Sequence, residues 1–213
     1  MDFTPFVRAI KNGFKKDQIK VFDSIKELES LQLAELGSND VEGYQVFTPQ
    51  FIVKQMSEAI GDDCLDFSKT ILEPTSGDGA FTTYLLHARL EKALDLGDFE
   101  INALKALSTI YSIEMDKPLI EKQRNNIFTL VKQFVSNHEI EVHESFFEAV
   151  KCIITTNYLW AMFNSDHPSG GLWVEVAYKM PDAEKGKMNS LDMPVWTIGS
   201  NGMTLKYEGV DVW

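Results

Sequence analysis

The chain has 213 residues, of which 44% are hydrophobic and 24% are charged, a balance typical of one globular domain with its own hydrophobic core. Lysines and arginines number 20 against 32 aspartates and glutamates, so the formal net charge is −12 at pH 7. Proteins that bind DNA unaided normally present a basic face to the phosphates, and this charge argues against that class. No stretch approaches the roughly 20 apolar residues of a membrane-spanning helix, which argues against a membrane protein.

The cysteines and the first residues bear on the compartment. Cys64 and Cys152 lack metal-ligand spacing, and we expect both thiols to be buried and reduced, with no metal site. The opening residues, Met1 to Pro5, lack the basic-then-apolar order of a secretory signal peptide. A cytoplasmic protein is therefore expected.

Residues 1–40 are predicted to form an N-terminal helical extension. The pattern over 1–37 predicts two amphipathic helices, and the second is expected to end at Gly37-Ser38-Asn39-Asp40. Basic residues recur at helical spacing, with Asp17 as the one acid among them: Arg8, Lys11, Lys15, Lys16 and Lys20. Two interpretations of this basic stretch stay open, a solvated helix face and an arm that contacts phosphates.

Helical and strand patterns alternate from residue 41 to about residue 160. The predicted helices cover 49–60, 79–95 and 117–136, and the predicted strands cover 70–73, 109–114, 140–143 and 152–156. Alternation of this kind predicts an α/β fold, a parallel sheet with helices on both faces. In such folds ligands bind at the carboxyl ends of the strands.

The last fifty residues are β-rich and do not continue the alternation. Short strands are predicted over 172–178, 194–198, 203–207 and 210–213. This C-terminal part has the size to close the sheet but is too short for a separate target-recognition domain. We therefore predict one domain over 41–213.

A glycine loop joins the first predicted strand to the next helix. Its sequence is Ile71-Leu72-Glu73-Pro74-Thr75-Ser76-Gly77-Asp78-Gly79-Ala80-Phe81. Gly77 and Gly79 can adopt positive φ and have no Cβ, so a ligand can lie close to the backbone. Dinucleotide sites have a third glycine where this chain has Thr82, and a triphosphate-binding loop is absent from the sequence. The loop predicts a different small-molecule cofactor.

An acid before a single Gly-x-Gly and an Ala-Phe pair resembles motif I of the S-adenosylmethionine-dependent amino-methyltransferases of DNA. Upstream, Gly43-Tyr44-Gln45-Val46-Phe47-Thr48-Pro49-Gln50-Phe51-Ile52-Val53 resembles the Q-x-F-T-P segment of N6-adenine DNA methylases, especially modification subunits of type I restriction systems. The resemblance covers residues 43–160. It implies S-adenosylmethionine as cofactor and a Rossmann-like class I methyltransferase fold.

The resemblance also implies roles for individual residues. Glu114, at the end of the second strand, would accept hydrogen bonds from the ribose hydroxyls, and Met115 would lie against the adenine ring. The family has Asp-Phe after the next strand. Alignment on Phe146 puts Ser145 at the Asp position, while Glu144 is the nearest acid, and either could accept from the adenine amino group. The cofactor-binding residues implied in this way are Phe47, Thr48, Pro49, Glu73, Thr75, Gly77, Gly79, Phe81, Glu114, Met115, Ser145 and Phe146.

The catalytic motif departs from the family pattern. Relatives have Asn/Asp-Pro-Pro-Tyr/Phe after a strand, and this chain has Asn157-Tyr158-Leu159-Trp160. In the family the Asn side chain and the next carbonyl accept the protons of the adenine amino group, and the aromatic residue stacks on the flipped base. Asn157, the Tyr158 carbonyl and Trp160 would take these roles. Loss of both prolines removes the backbone rigidity that holds the acceptors, so slow or absent turnover is expected.

Three functions follow from these patterns. The first is an N6-adenine DNA methyltransferase-like protein that is weakly active or depends on a partner. The second is an inactive cofactor-binding or interaction protein derived from such a methylase, and the acidic charge and lost prolines favour it. The third is a protein glutamine methyltransferase, against which the F-T-P segment argues. DNA would be reached through a partner, such as a specificity subunit, or in a homo-oligomer.

Overall fold

The computed structural model describes residues 1–32, 48–164, 173–176 and 190–211. In these ranges the chain is a mixed α/β protein whose centre is a sheet with three parallel strands, compatible with a Rossmann-like fold. None of the described helices is long and apolar enough to cross a membrane.

The main sheet has four strands in the order β1-β2-β3-β4. They span Ile71–Glu73 (β1), Ile110–Glu114 (β2), Tyr158–Asn164 (β3) and Trp173–Val176 (β4). β1, β2 and β3 run parallel, and β4 is antiparallel to β3. Glu73 pairs with Ser112, and Ser112 pairs with Tyr158, so these three residues form one row across the parallel strands.

Seven α-helices are described. They span Thr4–Asn12 (α1), Lys16–Ser24 (α2), Gln50–Ile60 (α3), Ala80–Asp95 (α4), Phe99–Ser108 (α5), Lys117–Asn137 (α6) and Ser145–Asn157 (α7), and a 3₁₀ turn follows α3 over Gly61–Leu65. The predictions for α3, β1, α4, β2 and α6 are confirmed to within one residue.

Two predicted strands are wrong, and one helix was not predicted. Residues 140–143 form neither helix nor strand, and residues 152–156 lie within α7. All residues from Cys152 to Asn157 are buried, so this apolar, β-branched run has no exposed face that would reveal a helical period. The unpredicted helix, α5, does carry a helical pattern, because Phe99, Ala103 and Leu107 recur at every fourth position and are buried.

The N-terminal helices belong to the same hydrophobic core as the α/β part. Phe3, Val7 and Phe22 are buried in one cluster with residues of α5, α6 and α7. α2 ends at Ser24, earlier than predicted. The predicted boundary at residue 40 lies outside the described residues.

A two-stranded hairpin lies at the amino ends of β2 and β3. Its strands are β5 (Ser190–Gly199) and β6 (Gly202–Asp211), and they pair with each other rather than with the main sheet. The Tyr111 hydroxyl of β2 donates a 2.6 Å hydrogen bond to the Pro194 carbonyl and fixes the hairpin there. The prediction that this part closes the main sheet is therefore wrong for the hairpin. The predicted separate strand over 210–213 is, as far as Asp211, the end of β6.

Arg89 on α4 is fully buried, and burial lowers the pKa of its guanidinium to about 10, so it stays charged at neutral pH. Its hydrogen bonds of 2.6–3.2 Å go to the carbonyls of Cys64, Asp66, Lys69 and Ala106 and to the Thr109 hydroxyl. The side chain thus ties the segment that leads into β1 to the end of α5.

We expect Arg89→Met to lower the free energy of unfolding by at least about 3 kcal/mol, because several buried carbonyls lose their donor. Urea denaturation followed by circular dichroism measures this change. Glu91→Ala, at a half-exposed position on the same helix, is the matched control and should change stability by less than about 0.5 kcal/mol. Equal stabilities of the two variants would show that the buried guanidinium is not required.

Candidate functional site

The carboxyl ends of β1 and β2 bring together the two acids that the sequence singled out, Glu73 and Glu114. The glycine loop leaves β1 here and enters α4. Gly77 has a φ of 56° and Gly79 a φ of 84°, so both adopt the left-handed conformation that favours glycine. The positive φ expected of both glycines is therefore observed.

The Glu114 carboxylate holds the glycine loop against the end of β2. Its Oε2 accepts a 2.7 Å hydrogen bond from the Gly77 N–H, and its Oε1 accepts a 2.8 Å bond from the Asp116 N–H. The residue is 8% exposed. Two carboxylate oxygens offer about four acceptor positions, so this side chain keeps acceptor capacity for a ligand's hydroxyl groups.

The Glu73 carboxylate contacts the first turn of α4. It accepts bonds from the Thr82 backbone N–H at 3.2 Å and from the Thr82 hydroxyl at 3.0 Å. Burial raises the pKa of Glu73 to about 7, and the nearby charges of Asp78 and Glu114 act in the same direction. Glu73 therefore changes its charge near neutral pH, in a site with two other acids.

A buried glutamine, which the sequence analysis missed, links the loop to the sheet. The Gln123 Nε2 donates to the hydroxyl of Thr82 at 2.7 Å and to that of Ser112 at 2.8 Å, and its Oε1 accepts from the Ser76 hydroxyl at 2.8 Å. A signal was present in the sequence, since Gln123 lies between Ile120 and Ile127 on the apolar stripe of α6. A polar residue on such a stripe indicates a buried hydrogen-bond network.

Gly79 is required by this glutamine. A Cβ at residue 79 would lie 2.9 Å from the Gln123 Cδ and closer still to its Cγ. The close approach of α6 thus explains why residue 79 has no Cβ. This contact and the positive φ, rather than a ligand, account for glycine at this position.

Two further side chains of α6 hold the loop. The Lys122 ammonium lies 3.1 Å from the Asp78 carboxylate, which is almost fully buried. The Asn126 Nδ2 donates to the Asp78 carbonyl at 3.1 Å. Because the ion pair neutralises Asp78, the acidic cluster at the strand ends carries less net charge than its three carboxylates suggest.

An apolar surface lies beside Glu114. Met115 is 66% exposed, and the half-buried Trp160 pairs in register with Glu114 across β2 and β3. The Trp160 Nε1 donates a 2.9 Å bond to the Met115 carbonyl, and the Lys117 ammonium lies 5.5 Å from the centre of the indole ring. The structure thus brings an acceptor, an exposed thioether and an indole together.

The other predicted cofactor-binding residues make fewer contacts than Glu73 and Glu114 do. Thr48 is exposed, and α3 begins without a side-chain capping hydrogen bond. Pro49 precedes α3, and its carbonyl accepts the first bonds of that helix. Thr75 is exposed in the loop and Phe81 is half-buried on α4. Phe47 lies outside the described residues.

Asn157 lies away from this site. It is the last residue of α7 and precedes β3, whereas the catalytic motif was predicted to follow a strand. Its Nδ2 donates to the carbonyls of Ser108 at 2.9 Å and Ile110 at 3.1 Å, at the amino end of β2. Glu114 is four residues further along β2, or ~13 Å at ~3.3 Å per residue. The predicted grouping of Asn157 with Glu114 is therefore corrected.

Both polar ends of the Asn157 amide are occupied within the protein. Its Oδ1 accepts a 2.9 Å bond from the Trp196 Nε1 of the hairpin, and the residue is fully buried. The Tyr158 carbonyl, predicted as the second proton acceptor, accepts bonds from the Arg124 guanidinium at 2.6 and 3.0 Å. Neither acceptor is presented to a substrate in this arrangement.

The strand predicted before Ser145 and Phe146 does not form. They begin α7, where the Ser145 hydroxyl accepts a 2.7 Å bond from the Phe3 N–H. Phe146 is fully buried, and its ring lies 6.2 Å from that of Phe99 on α5. Their contacts are with the N-terminal segment and α5, which corrects the expectation that they flank an adenine.

Comparison with protein-family models, with curated proteins and with solved structures found no match to this chain.

Gly79→Ala should destabilise the protein more than Gly97→Ala does, although both glycines have a similar positive φ, 84° and 73°. A Cβ at Gly97 meets nothing within 4 Å, so that variant measures the backbone cost alone, about 1–2 kcal/mol. Gly79→Ala must also displace Gln123 and break buried hydrogen bonds, which adds about 1–3 kcal/mol. Thermal and urea unfolding measure both changes. Equal losses would mean that Gln123 does not determine the loop.

The raised pKa of Glu73 predicts that stability falls as pH rises from about 5 to 8. Between the ordinary value of 4.5 and the folded value of about 7, the folded state holds a proton that the unfolded state has lost. The side chain of Glu73→Gln cannot lose a proton. The free energy of unfolding of this variant should therefore fall less over this pH range than that of the unmodified protein, by up to about 3 kcal/mol. Urea unfolding at several pH values measures it, with Glu58→Gln on the exposed side of α3 as control. An unchanged pH profile in Glu73→Gln would contradict the assignment.

Proposed function

We propose that this chain is a methylase-derived protein that binds S-adenosylmethionine at the carboxyl ends of β1 and β2 but does not transfer its methyl group through Asn157. The observation that carries the proposal is the surface formed by Glu114, Met115 and Trp160 beside the glycine loop. A carboxylate with spare acceptor capacity next to exposed apolar side chains suits a nucleoside, whose ribose is polar and whose base is flat and apolar on its faces.

The residues present fit the nucleoside part of this cofactor better than its methionine part. Glu114 would accept from the ribose hydroxyls, and Met115 with Trp160 would cover the base. At the other end Glu73 is the acid available for an ammonium group, and it is already bonded to Thr82. Binding a cationic ligand there favours the ionised form of Glu73, so affinity should rise with pH through about 7. When bound, the cofactor supplies an electrophilic methyl group.

The position of Asn157 argues against methyl transfer by the mechanism that the sequence suggested. Aligning an amino group for attack requires acceptors within hydrogen-bond reach of it and beside the cofactor. Asn157 has both amide ends bonded inside the protein, and its position in the register of β2 and β3 is three residues, or ~10 Å, before Glu114. The same argument applies to adenine and to protein glutamine, since both reactions would use this residue.

An interaction role therefore fits this chain better than an independent DNA methylase. The net charge of −12 gives no long-range attraction to DNA, so contact with DNA would fall to a partner subunit. In such an assembly the chain would bind the cofactor. Because a ligand that binds only the folded form stabilises that form, the bound cofactor would keep the chain folded for its partner.

Calorimetric titration with S-adenosylmethionine tests the proposal. We expect a dissociation constant in the micromolar range and no transfer of the labelled methyl group to adenine-containing DNA. Glu114→Gln should weaken binding about 10- to 100-fold, the scale of about 1.5–3 kcal/mol for a hydrogen bond to a charged group. Circular dichroism confirms that the variant is folded.

Glu121→Gln, at a half-exposed position on α6, is the matched control and should bind as the unmodified protein does. Absence of binding by a folded protein would remove the cofactor assignment. Methyl transfer to DNA above background would instead keep the cofactor and overturn the claim that the chain is inactive.

A further inference from the structure

A cavity of about 340 Å³ lies between α1 and the first turn of α7, in contact with neither Glu73 nor Glu114. Its lining includes Arg8 and Lys11 from one side and Ser145 and Glu148 from the other. Val7, which is buried, contributes apolar surface. The cavity is thus formed by the N-terminal helix that carries the basic stretch seen in the sequence.

The cavity is locally basic although the protein as a whole is acidic. Arg8 is exposed and forms no ion pair within the described part of the chain. The Lys11 ammonium lies 3.8 Å from the centre of the Phe22 ring, which holds the cation in place without neutralising it. Two cationic side chains, of which Lys11 is held by an aromatic ring, therefore line this cavity.

The acid in the lining is already neutralised. The Glu148 carboxylate lies 3.3 Å from the ammonium of Lys151, one turn along α7. That lysine also lies 5.6 Å from the centre of the Phe22 ring, the ring that the Lys11 ammonium contacts. Asp2 is a second acid at this place, because its carboxylate accepts a 3.3 Å hydrogen bond from the Ser145 hydroxyl. Counting Arg8, Lys11 and Lys151 against Glu148 and Asp2 leaves a local charge of about +1, which an anion would compensate.

We infer that this cavity binds a small phosphorylated molecule. Arg8 supplies a planar fork of N–H donors that matches phosphate oxygens, and Lys11 adds a point charge. Thr4 and Asn12 in the lining offer neutral donors for the rest of the ligand. The positive end of the α7 dipole at Ser145 adds a smaller attraction.

The size of the cavity favours a small molecule over a nucleic acid. Ligand pockets range from about 300 to 1,000 Å³, so this volume suits a ligand the size of a sugar phosphate. A nucleic acid needs a continuous basic track, and the neighbouring basic residue Lys20 is paired with Asp17. The site is independent of the proposed S-adenosylmethionine site.

The test is a titration of the folded protein with pyrophosphate, with ribose 5-phosphate and with a single-stranded oligonucleotide, followed by calorimetry and by NMR shifts of backbone amides. We expect saturable binding of the two small anions, with shifts in α1 and at the start of α7. Arg8→Gln with Lys11→Gln should weaken binding at least tenfold. Arg8→Gln alone, at an exposed position, should weaken it several-fold without affecting folding.

Two further variants test whether binding depends on the charges that line the cavity. Lys16→Gln with Lys20→Gln removes the same charge from exposed positions outside the cavity and should change affinity by less than about twofold at 0.15 M salt, where distant charges are screened. Glu148→Gln removes a negative charge from the lining and should tighten binding several-fold. Equal losses in both double variants, an absence of saturable binding, or tighter binding of the oligonucleotide than of the small anions would each overturn the inference.

Discussion

The hydrogen bonds of the buried Gln123 amide are the interaction on which the carboxyl end of the sheet depends. A buried amide without partners is strongly unfavourable, so its donors and acceptor must be satisfied from three directions: the loop, α4 and β2. That requirement determines the rest of the site. It excludes a side chain at residue 79, and it explains Thr82 where dinucleotide sites have glycine, because the Thr82 hydroxyl passes the network on to Glu73.

The elements around this network were predictable because their sequence signals are local. Glu73, the two glycines and the following helix define a strand–loop–helix unit. At the start of α6, the Asp116 side chain accepts a hydrogen bond from the Leu119 N–H and caps the helix. The errors arose where the signal is not local. Cys152–Thr156 has strand-like composition, but it is buried on all sides, and only its packing against the other helices and β2 decides that it is helical. Long-range partners such as Trp196 for Asn157 leave no trace in the sequence near either residue.

That single misassigned element changes the chemistry inferred for the chain. A residue after a parallel strand lies at the carboxyl edge with the ligand, and a residue before it lies at the opposite edge. Because 152–156 is a helix, Asn157 precedes β3 and meets the hairpin at the amino ends of β2 and β3. The Asn157 side chain therefore lies at the amino end of β2, where its amide donates to the Ser108 and Ile110 carbonyls. Trp160, three residues later, does reach the level of Glu114, since β3 carries it there.

The charges of the molecule are also divided between regions. Carboxylates converge at the strand ends, where the Lys122 ammonium and backbone N–H groups offset them, and cations converge between α1 and α7. The acidic surface repels anions, and this repulsion is offset near the basic cavity. An anion therefore binds at the cavity in preference to the rest of the surface. The N-terminal helices pack into the common core, so the position of Arg8 and Lys11 relative to α7 is set by the same burial that stabilises the fold. The basic stretch is thereby part of a cavity wall at Arg8 and Lys11 and a solvated helix face at Lys15, Lys16 and Lys20.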